Sequence, residues 1–206
     1  MTDLILYGSL QSGHSYKCRL YLLLAGIEHE YRHIDIFAPH RDRPAAFREI
    51  SPYGEVPVLQ HEGRVLAQSN AILLHLARHF GSFGATQDGG WDAITQWLFW
   101  EANRIGRSYP NLRFYRKPFG ACDPGLLAWF EQTASADLDR LDRELTDKPF
   151  LLDQPTIADL SCAGYMLYQP AETFVGLDFT RWPHITAWLD RIRALPGFVP
   201  PLSAME

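Results

Sequence analysis

The sequence predicts an α/β domain followed by an all-α domain. Short apolar runs that suit strands alternate with helix-like segments over about the first 80 residues, whereas the later signals are all helical. Four glycines within residues 81–90 mark a change of composition that is typical of a linker. We therefore expect an α/β domain over 1–80, a linker over 81–89 and a helical domain over 90–206.

The first strand and the first helix follow from the apolar pattern. Residues 3–7 form a short apolar run that stops at Gly8, as a buried strand does. Residues 15–25 are rich in apolar side chains and end at Gly26, which favours a helix with Ser15 as its N-cap. The chain thus opens as strand, loop and helix.

Three further strands and two helices complete this domain. Polar and apolar residues partly alternate over Glu30–Ile36, which predicts a strand. A strand at Val56–Gln60 pairs naturally with Arg64–Ala67 across a tight turn, and Ser69 caps a helix that runs to about Phe80. The order β-α-β-α-β-β-α indicates an α/β layer with a mixed sheet.

The second half shows apolar residues at the spacing of a buried helix face. They recur every three or four positions in two segments, and Thr156 with Asp159 forms a capping box before another helix. We therefore expect a helical bundle. The apolar positions are Leu127, Phe130, Ala134, Leu138, Leu141 and Leu145 in one segment and Ile185, Trp188, Leu189, Ile192 and Leu195 in the other.

Composition and charge exclude several classes of function. The chain has 206 residues, of which 47% are hydrophobic, so it can bury a sizeable core. Nineteen basic and 24 acidic residues give a net charge of −5, without the basic block that nucleic-acid binding requires. The longest uncharged apolar stretch, Leu20–Ile27, is far shorter than the roughly 20 residues that span a membrane.

The cysteines and the start of the chain predict the compartment. Cys18, Cys122 and Cys162 form no C-x-x-C pair, which fits free thiols in a reducing environment. The first residues lack the basic segment of a signal peptide. We therefore expect a cytoplasmic protein with no nucleic-acid or membrane partner.

Four segments, in order along the chain, resemble sequence motifs of the cytosolic glutathione transferases. The resemblance covers nearly the whole chain and implies a thioredoxin-like α/β domain followed by an all-α helical bundle. It also implies a homodimeric detoxification enzyme that transfers glutathione, as the thiolate, to a small apolar electrophile. The segments are Leu6–Arg19 (LYGSLQSGHSYKCR), Ser51–Leu59 (SPYGEVPVL), Gln68–Leu73 (QSNAIL) and Pro155–Leu160 (PTIADL).

The resemblance places the reacting thiol beside the first helix. Ser12 stands where serine-type members, similar to the zeta and theta classes, carry their catalytic serine. Tyr7 stands where the alpha, mu and pi classes keep a catalytic tyrosine, and His14 is a second alternative in the same loop. We therefore predict a serine-type enzyme in which the Ser12 hydroxyl donates a hydrogen bond to the thiolate.

Two motifs imply the glutathione site. Val56-Pro57, whose peptide bond is cis in this family, would offer the Val56 backbone to the cysteinyl part of glutathione. Gln68 and Ser69 lie at the mouth of a helix, where unpaired N–H groups favour a carboxylate, and would hold the γ-glutamyl group. His40 lies where the family often places a cation for the glycyl carboxylate.

The aromatic residues after the linker imply a pocket for the second substrate. The resemblance assigns Tyr109, Phe114 and Tyr115 to it, but the sequence does not name the electrophile. Two alternatives stay open. One is a zeta-like glutathione-dependent cis-trans isomerase, which the pattern S-x-x-S-x-K-x-R supports, and the other is a non-catalytic binding module.

Two histidine patterns match metal sites only formally. His29–His33 fits H-E-x-x-H but leads into a predicted strand, where four residues span roughly 13 Å and keep the two rings apart. His75 and His79 lie one turn apart on a predicted helix without a recognisable third ligand. We therefore predict glutathione as the co-substrate and no metal.

Overall fold

A computed structural model describes residues 3–116, 122–168 and 175–206. Their contacts divide the chain into two units. The first unit takes in the chain up to Phe83 together with Pro196–Glu206, and the second runs from Gly84 to Leu195. The division near Phe83 falls inside the segment that the sequence predicts as the linker.

A four-stranded sheet forms the centre of the first unit, in the order β2-β1-β3-β4. β1 is parallel to β2 and antiparallel to β3, and β3 is antiparallel to β4, which confirms the predicted mixed sheet. The strands are β1 Leu4–Gly8, β2 Glu30–His33, β3 Val58–His61 and β4 Arg64–Ala67.

Two predicted strand boundaries were wrong, each for a physical reason. β2 stops at His33 rather than Ile36 because His33 pairs with Gly8, the last residue of β1. β3 begins at Val58 rather than Val56. Pro57 has no N–H to donate, so the hydrogen-bonded ladder starts only after it.

Helices lie on both faces of this sheet. Side chains alternate along β1, so Leu6 and Tyr7 are buried on opposite faces, with relative exposures of 0% and 2%. Phe47 of the second helix packs against Tyr7 on one face. The helices of this part are α1 Gly13–Leu24, α2 Ala45–Ile50 and α3 Ser69–Phe80, with a short 3-10 turn at His40–Asp42.

The N-caps predicted for α1 and α3 were both wrong by a small shift along the chain. The N-cap of α1 is Ser12 rather than Ser15, because the Ser12 side chain accepts a hydrogen bond from the Ser15 N–H. The N-cap position of α3 is Gln68, and Ser69 is the first helical residue. In both cases the helix begins before the first apolar residue of its periodic pattern.

The end of the chain belongs to the first unit. The sequence prediction assigned residues 196–206 to the helical domain, whereas in the structure they pack against α1. The Tyr16 hydroxyl donates to the carbonyl of Val199 at 2.9 Å. Gly197 sits so close to α1 that a Cβ there would lie 3.0 Å from the Leu23 carbonyl oxygen.

The second unit is helical, as predicted. The predicted apolar faces are largely buried, and Thr156 with Asp159 forms the predicted capping box. No helix in the described ranges is long and apolar enough to cross a membrane. The helices are α4 Gly90–Asn103, α5 Ile105–Arg116, α6 Pro124–Glu144, α7 Ile157–Ala163 and α8 Pro183–Arg193, while α9 Pro201–Met205 lies in the first unit.

Candidate active site

Three of the segments singled out in the sequence meet at one edge of the sheet. The strand register pairs Tyr7 with Val58 and Val58 with Ala67. The last residues of β1 and β4 therefore lie beside the first residue of β3. The segments that follow β1, precede β3 and follow β4 lie together at this end of the strands. We call this end of the sheet the candidate edge. Its segments are the loop from Gly8 to Ser12, Val56-Pro57 and Gln68-Ser69.

Ser12 lies at the positive end of α1. Its backbone is extended, and its Oγ accepts a hydrogen bond from the N–H of Ser15 at 3.1 Å. A hydroxyl accepts through a lone pair and keeps its own O–H to donate. The residue is 6% exposed, and the first N–H groups of α1 lie beside it. Ser12 therefore combines a donor with a favourable place for an anion.

Gly8 allows the start of α1 to approach the sheet. A Cβ at Gly8 would lie 2.9 Å from the Cβ of Ser15 and 2.9 Å from Cε2 of Tyr31, closer than packed carbon atoms lie. The absence of a side chain at this position thus sets where the loop to Ser12 can run.

The Tyr7 hydroxyl is already engaged within the sheet. It donates to Oε1 of Gln60 at 2.8 Å and accepts from the Arg32 guanidinium at 2.7 Å. Its ring lies against Phe47, with the ring centroids 6.0 Å apart. Tyr7 is therefore a buried part of the sheet whose one O–H has a partner.

Gln68 has an unusual backbone at the start of α3. Its φ is +69°, in the region that residues with a side chain seldom occupy, and its side chain makes no capping hydrogen bond. Such conformations cost about 1–3 kcal/mol and cluster at binding sites. Gln68 is exposed, so its amide can reach a ligand at the candidate edge.

The starts of α1 and α3 are joined by two contacts that the sequence did not reveal. Lys17, 1% exposed, donates from Nζ to Oδ1 of Asn70 at 2.8 Å. The Cys18 thiol lies 3.5 Å from the carbonyl oxygen of Ser69. Because Lys17 and Cys18 are in α1, these contacts fix the mouth of α3 relative to the helix that Ser12 caps.

Val56 lies just outside the sheet. The Val56-Pro57 peptide bond is cis, as the resemblance implied, and Val56 is half-buried immediately before β3. The His40 ring lies against Gly54, two residues before Val56, since a Cβ at Gly54 would lie 2.9 Å from that ring. His40 is exposed, so its other side is open to a ligand.

Arg43 holds this loop together, and sequence reasoning missed it. Its guanidinium donates to the carbonyls of Ile36, Ala38 and Gly54 at 3.0, 3.2 and 2.6 Å. One side chain thereby joins the segment after β2 to the segment that carries Val56. A single arginine before a proline has no sequence signal that could have revealed this.

Two other residues of the first helix bear on the chemistry. His14 is partly exposed in the first turn of α1. Cys18 is fully buried, and all three cysteines of the chain are free thiols. A buried thiol is a poor partner for disulfide exchange, so the structure offers Cys18 as a packing residue.

The predicted pocket aromatics differ in their surroundings within the second unit. Tyr109 is 1% exposed, and burial raises its pKa above the ordinary value. Phe114 is 48% exposed, and Tyr115 is partly exposed and stacks on Phe130 with the ring centroids 5.6 Å apart. Of these three residues, only Phe114 and Tyr115 expose appreciable ring surface.

Both halves of the chain match a known family. The model of the glutathione S-transferase N-terminal domain matches residues 11–79, and that of the glutathione S-transferase C-terminal domain matches residues 124–196. A crystal structure of a glutathione S-transferase from Pseudomonas fluorescens Pf-5 is 30% identical, with a TM-score of 0.87 over 98% of this chain and 100% of that one.

Two curated relatives that align with most of this chain are named for different reactions. The disulfide-bond oxidoreductase YfcG of Escherichia coli K12 is 26% identical over 96% of this chain and 92% of its own length. A maleylpyruvate isomerase of a Ralstonia species is 29% identical over 88% of each chain.

Proposed function

Since this chain belongs to the glutathione S-transferase family and is one of its enzymes, we propose that it binds glutathione at the candidate edge and transfers it, as the thiolate, to a small apolar electrophile. The strand register carries this proposal, because it gathers Ser12, Val56 and Gln68 at one place. The protein supplies orientation and thiolate stabilisation rather than a covalent nucleophile.

The Ser12 hydroxyl and the dipole of α1 can together supply the free energy that is needed to ionise the glutathione thiol. A thiol with a pKa of about 8.5 is only about 3% ionised at pH 7. Lowering that pKa to about 6.5 requires about 2.7 kcal/mol of preferential stabilisation. A hydroxyl that donates to the thiolate contributes about 1.5–3 kcal/mol, and the dipole of α1 adds about 0.3–1 kcal/mol. The sum is sufficient.

Ser12 is a better candidate for this role than Tyr7. The Tyr7 O–H is directed to Gln60, and donating to a thiolate would break that bond. The Ser12 hydroxyl caps α1 through a lone pair, so donation costs no existing contact. His14, in the first turn of the same helix, is the next candidate.

The rest of the glutathione molecule has one predicted partner for each polar part. The γ-glutamyl group lies at Gln68 and Ser69, where the mouth of α3 favours its carboxylate. The cysteinyl backbone pairs with Val56 by a short β-type contact. His40 faces the glycyl carboxylate. Because the hydrogen-bonded ladder of β3 begins only after Pro57, the Val56 backbone stays available to the ligand.

Calorimetry and ultraviolet spectroscopy test the proposal on the same protein. Titration with glutathione should give saturable binding, and the thiolate absorbance of the complex should titrate below the pKa of free glutathione. Ser12→Ala should move that titration upward, whereas Ser15→Ala, a neighbouring hydroxyl in the same helix, should not. A complex whose thiol titrates like free glutathione would contradict the mechanism.

The second substrate, the assembly and the location are the finer parts of this proposal. Phe114 and Tyr115 contact the electrophile, whereas Tyr109 is buried in the core of the same unit. The enzyme acts as a homodimer in detoxification, in the cytoplasm, where free thiols persist. Conjugation assays against a panel of electrophiles would identify the substrate class.

The similarity to maleylpyruvate isomerase favours a second candidate, a glutathione-dependent cis-trans isomerisation. The same thiolate would add to the substrate and leave again, so glutathione would not be consumed. Turnover of a cis-dicarboxylic acid at constant glutathione distinguishes isomerisation from conjugation. Glutathione binding without either activity would instead favour a non-catalytic binding module.

A further inference from the structure

Three histidines and one glutamate lie at the end of the sheet opposite the candidate edge. His61 is the last residue of β3, Glu62 follows it in the turn to β4, and His75 and His79 lie one turn apart in α3. We call these four residues the histidine cluster. The sequence pattern of His75 and His79 offered no third ligand, but the structure supplies two. The fold, not the chain order, brings His61 of β3 and Glu62 close to α3.

The strand period directs His61 toward α3. Leu59 and His61 are two positions apart in β3, so they share a face, and Leu59 is completely buried. His61 is 6% exposed. Its ring centroid lies 5.2 Å from that of His75 and 4.6 Å from that of His79. The three imidazoles therefore form one group rather than separate surface residues.

A hydrogen bond fixes the orientation of the His61 ring. Nδ1 of His61 lies 2.9 Å from Nε2 of His75. When His61 donates from Nδ1, its Nε2 keeps a lone pair for a metal ion, as in most histidine-ligated sites.

Glu62 adds a negative charge to this arrangement. Its Oε1 lies 3.9 Å from Nε2 of His79, and the coordinating atoms of His61, Glu62 and His79 all lie within 4.8 Å of one another. Two imidazoles and one carboxylate are a common ligand set for zinc. Arg64 and Arg78 line the adjoining surface, and their charges disfavour ions held by electrostatics alone, such as Mg²⁺.

We propose that His61, Glu62 and His79 bind one divalent transition-metal ion of the class of Zn²⁺, Co²⁺ and Ni²⁺, with His75 as the positioning residue for His61. Ligand atoms around one zinc ion lie about 3.4 Å apart. In the structure these atoms lie within 4.8 Å of one another, and rotation of the exposed Glu62 and His79 side chains would bring them to the shorter separation. The ion joins the β3–β4 turn to the end of α3 and so stabilises the first unit.

Titration of the untagged full chain with Co²⁺ tests the site without glutathione. We expect visible d–d bands that saturate at one ion per chain and disappear when Zn²⁺ is added. His79→Ala and Glu62→Gln change exposed side chains and should lose this saturable binding while remaining folded. His33→Ala removes an exposed histidine of β2 and should bind like the wild type.

Two results would overturn the metal site: a wild-type chain that does not saturate at one ion, or a His79→Ala variant that binds as tightly as the wild type. Thermal unfolding provides a second readout, since Zn²⁺ should raise the melting temperature of the wild type and of Ser12→Ala but not of His79→Ala. Because Ser12→Ala keeps the site, failure of this proposal is separable from failure of the glutathione proposal.

The positioning role of His75 has its own test. His75→Leu removes the acceptor for His61 and should weaken Co²⁺ binding by about 10- to 100-fold. His75→Gln retains an amide oxygen and should recover most of the affinity and the wild-type absorption bands. Equal losses in the two variants, with both folded by circular dichroism, would show that His75 does not act through His61.

Discussion

Ser12 Oγ accepts a hydrogen bond from the N–H of Ser15 at 3.1 Å, so the residue that we propose as the thiolate donor is also the N-cap of α1. The two roles use different parts of the hydroxyl, the lone pair for the helix and the O–H for the thiolate. Variants at this position can therefore separate stability from chemistry.

Ser12→Ala should reduce both the stability of the protein and the ionisation of bound glutathione. The free energy of unfolding should fall by about 0.5–2 kcal/mol because the cap is lost. The pKa of bound glutathione should rise by about one to two pH units because a hydrogen bond of about 1.5–3 kcal/mol to the thiolate is lost. Ser12→Asp keeps a capping oxygen and should restore the stability but not the low thiol pKa. Denaturant titration and thiolate absorbance measure the two effects, and recovery of both in Ser12→Asp would argue against thiolate donation.

Tyr7→Phe should lower the stability of the protein but leave the pKa of bound glutathione nearly unchanged. The variant leaves Gln60 and Arg32 without their shared partner, which should cost about 1–3 kcal/mol of stability. The thiolate titration should move little, since the Tyr7 O–H serves the sheet. Should Tyr7→Phe shift that titration more than Ser12→Ala does, the enzyme belongs with the tyrosine-type transferases.

Gln68→Gly should lose glutathione without losing stability. Glycine tolerates the φ of +69° that Gln68 adopts, so the fold is preserved or improved, while the amide that we propose binds the γ-glutamyl group is removed. A charge-assisted hydrogen bond of about 1.5–3 kcal/mol corresponds to roughly a 10- to 150-fold rise in the dissociation constant.

Calorimetry measures this change in affinity, with Ser69→Ala as a second variant that should also weaken binding. Gln132→Ala removes the same amide from an exposed position of α6 and serves as the control. Unchanged affinity in both Gln68→Gly and Ser69→Ala would reject the γ-glutamyl site.

The proposed homodimer should depend on exposed aromatic surface in α4. Phe99 is the side chain that we expect the partner subunit to cover, since it is 73% exposed there. Sedimentation should give a mass near twice 23.5 kDa for the wild type and near 23.5 kDa for Phe99→Glu. Leu126→Glu, on exposed α6 surface, should leave the dimer intact. A wild-type monomer at micromolar concentration would contradict the assembly.

Asp137→Asn should stabilise the protein at neutral pH. Burial raises the pKa of Asp137 above the ordinary 3.8, although it accepts a hydrogen bond from Ser108 at 2.7 Å. A raised native pKa contributes stability below the unfolded-state pKa and loses it as the pH rises through the native value. Asparagine keeps the acceptor without the buried charge.

Melting temperatures measured from acid to neutral pH should therefore diverge, with Asp137→Asn above the wild type near pH 7 and the two equal in acid. Asp147→Asn, at an exposed position, should track the wild type throughout. A lower melting temperature for Asp137→Asn at pH 7 would mean that the surroundings stabilise the carboxylate and lower its pKa rather than raise it.

The order of the elements and the residue types near the proposed chemistry could be predicted from the amino-acid sequence. Period-two and three-to-four-residue patterns are local, so they marked the strands and helices and the capping box of Thr156 and Asp159. The boundaries shifted by a few residues where a local signal competed with pairing, as at Pro57. The resemblance to glutathione transferases also assigned the polar residues of the candidate edge to one glutathione site, although the periodic pattern alone could not place them together.

Which of these residues meet depends on the tertiary structure. The pairing of Tyr7 with Val58 and of Val58 with Ala67 gathers the candidate edge from separate segments that begin at Gly8, Val56 and Gln68. The partner of the Tyr7 hydroxyl, Gln60, is 53 positions away, and His61 joins His75 across 14. Such contacts depend on strand register and on the packing of α3 against β3, which are set by burial of the whole core and leave no periodic trace in the chain.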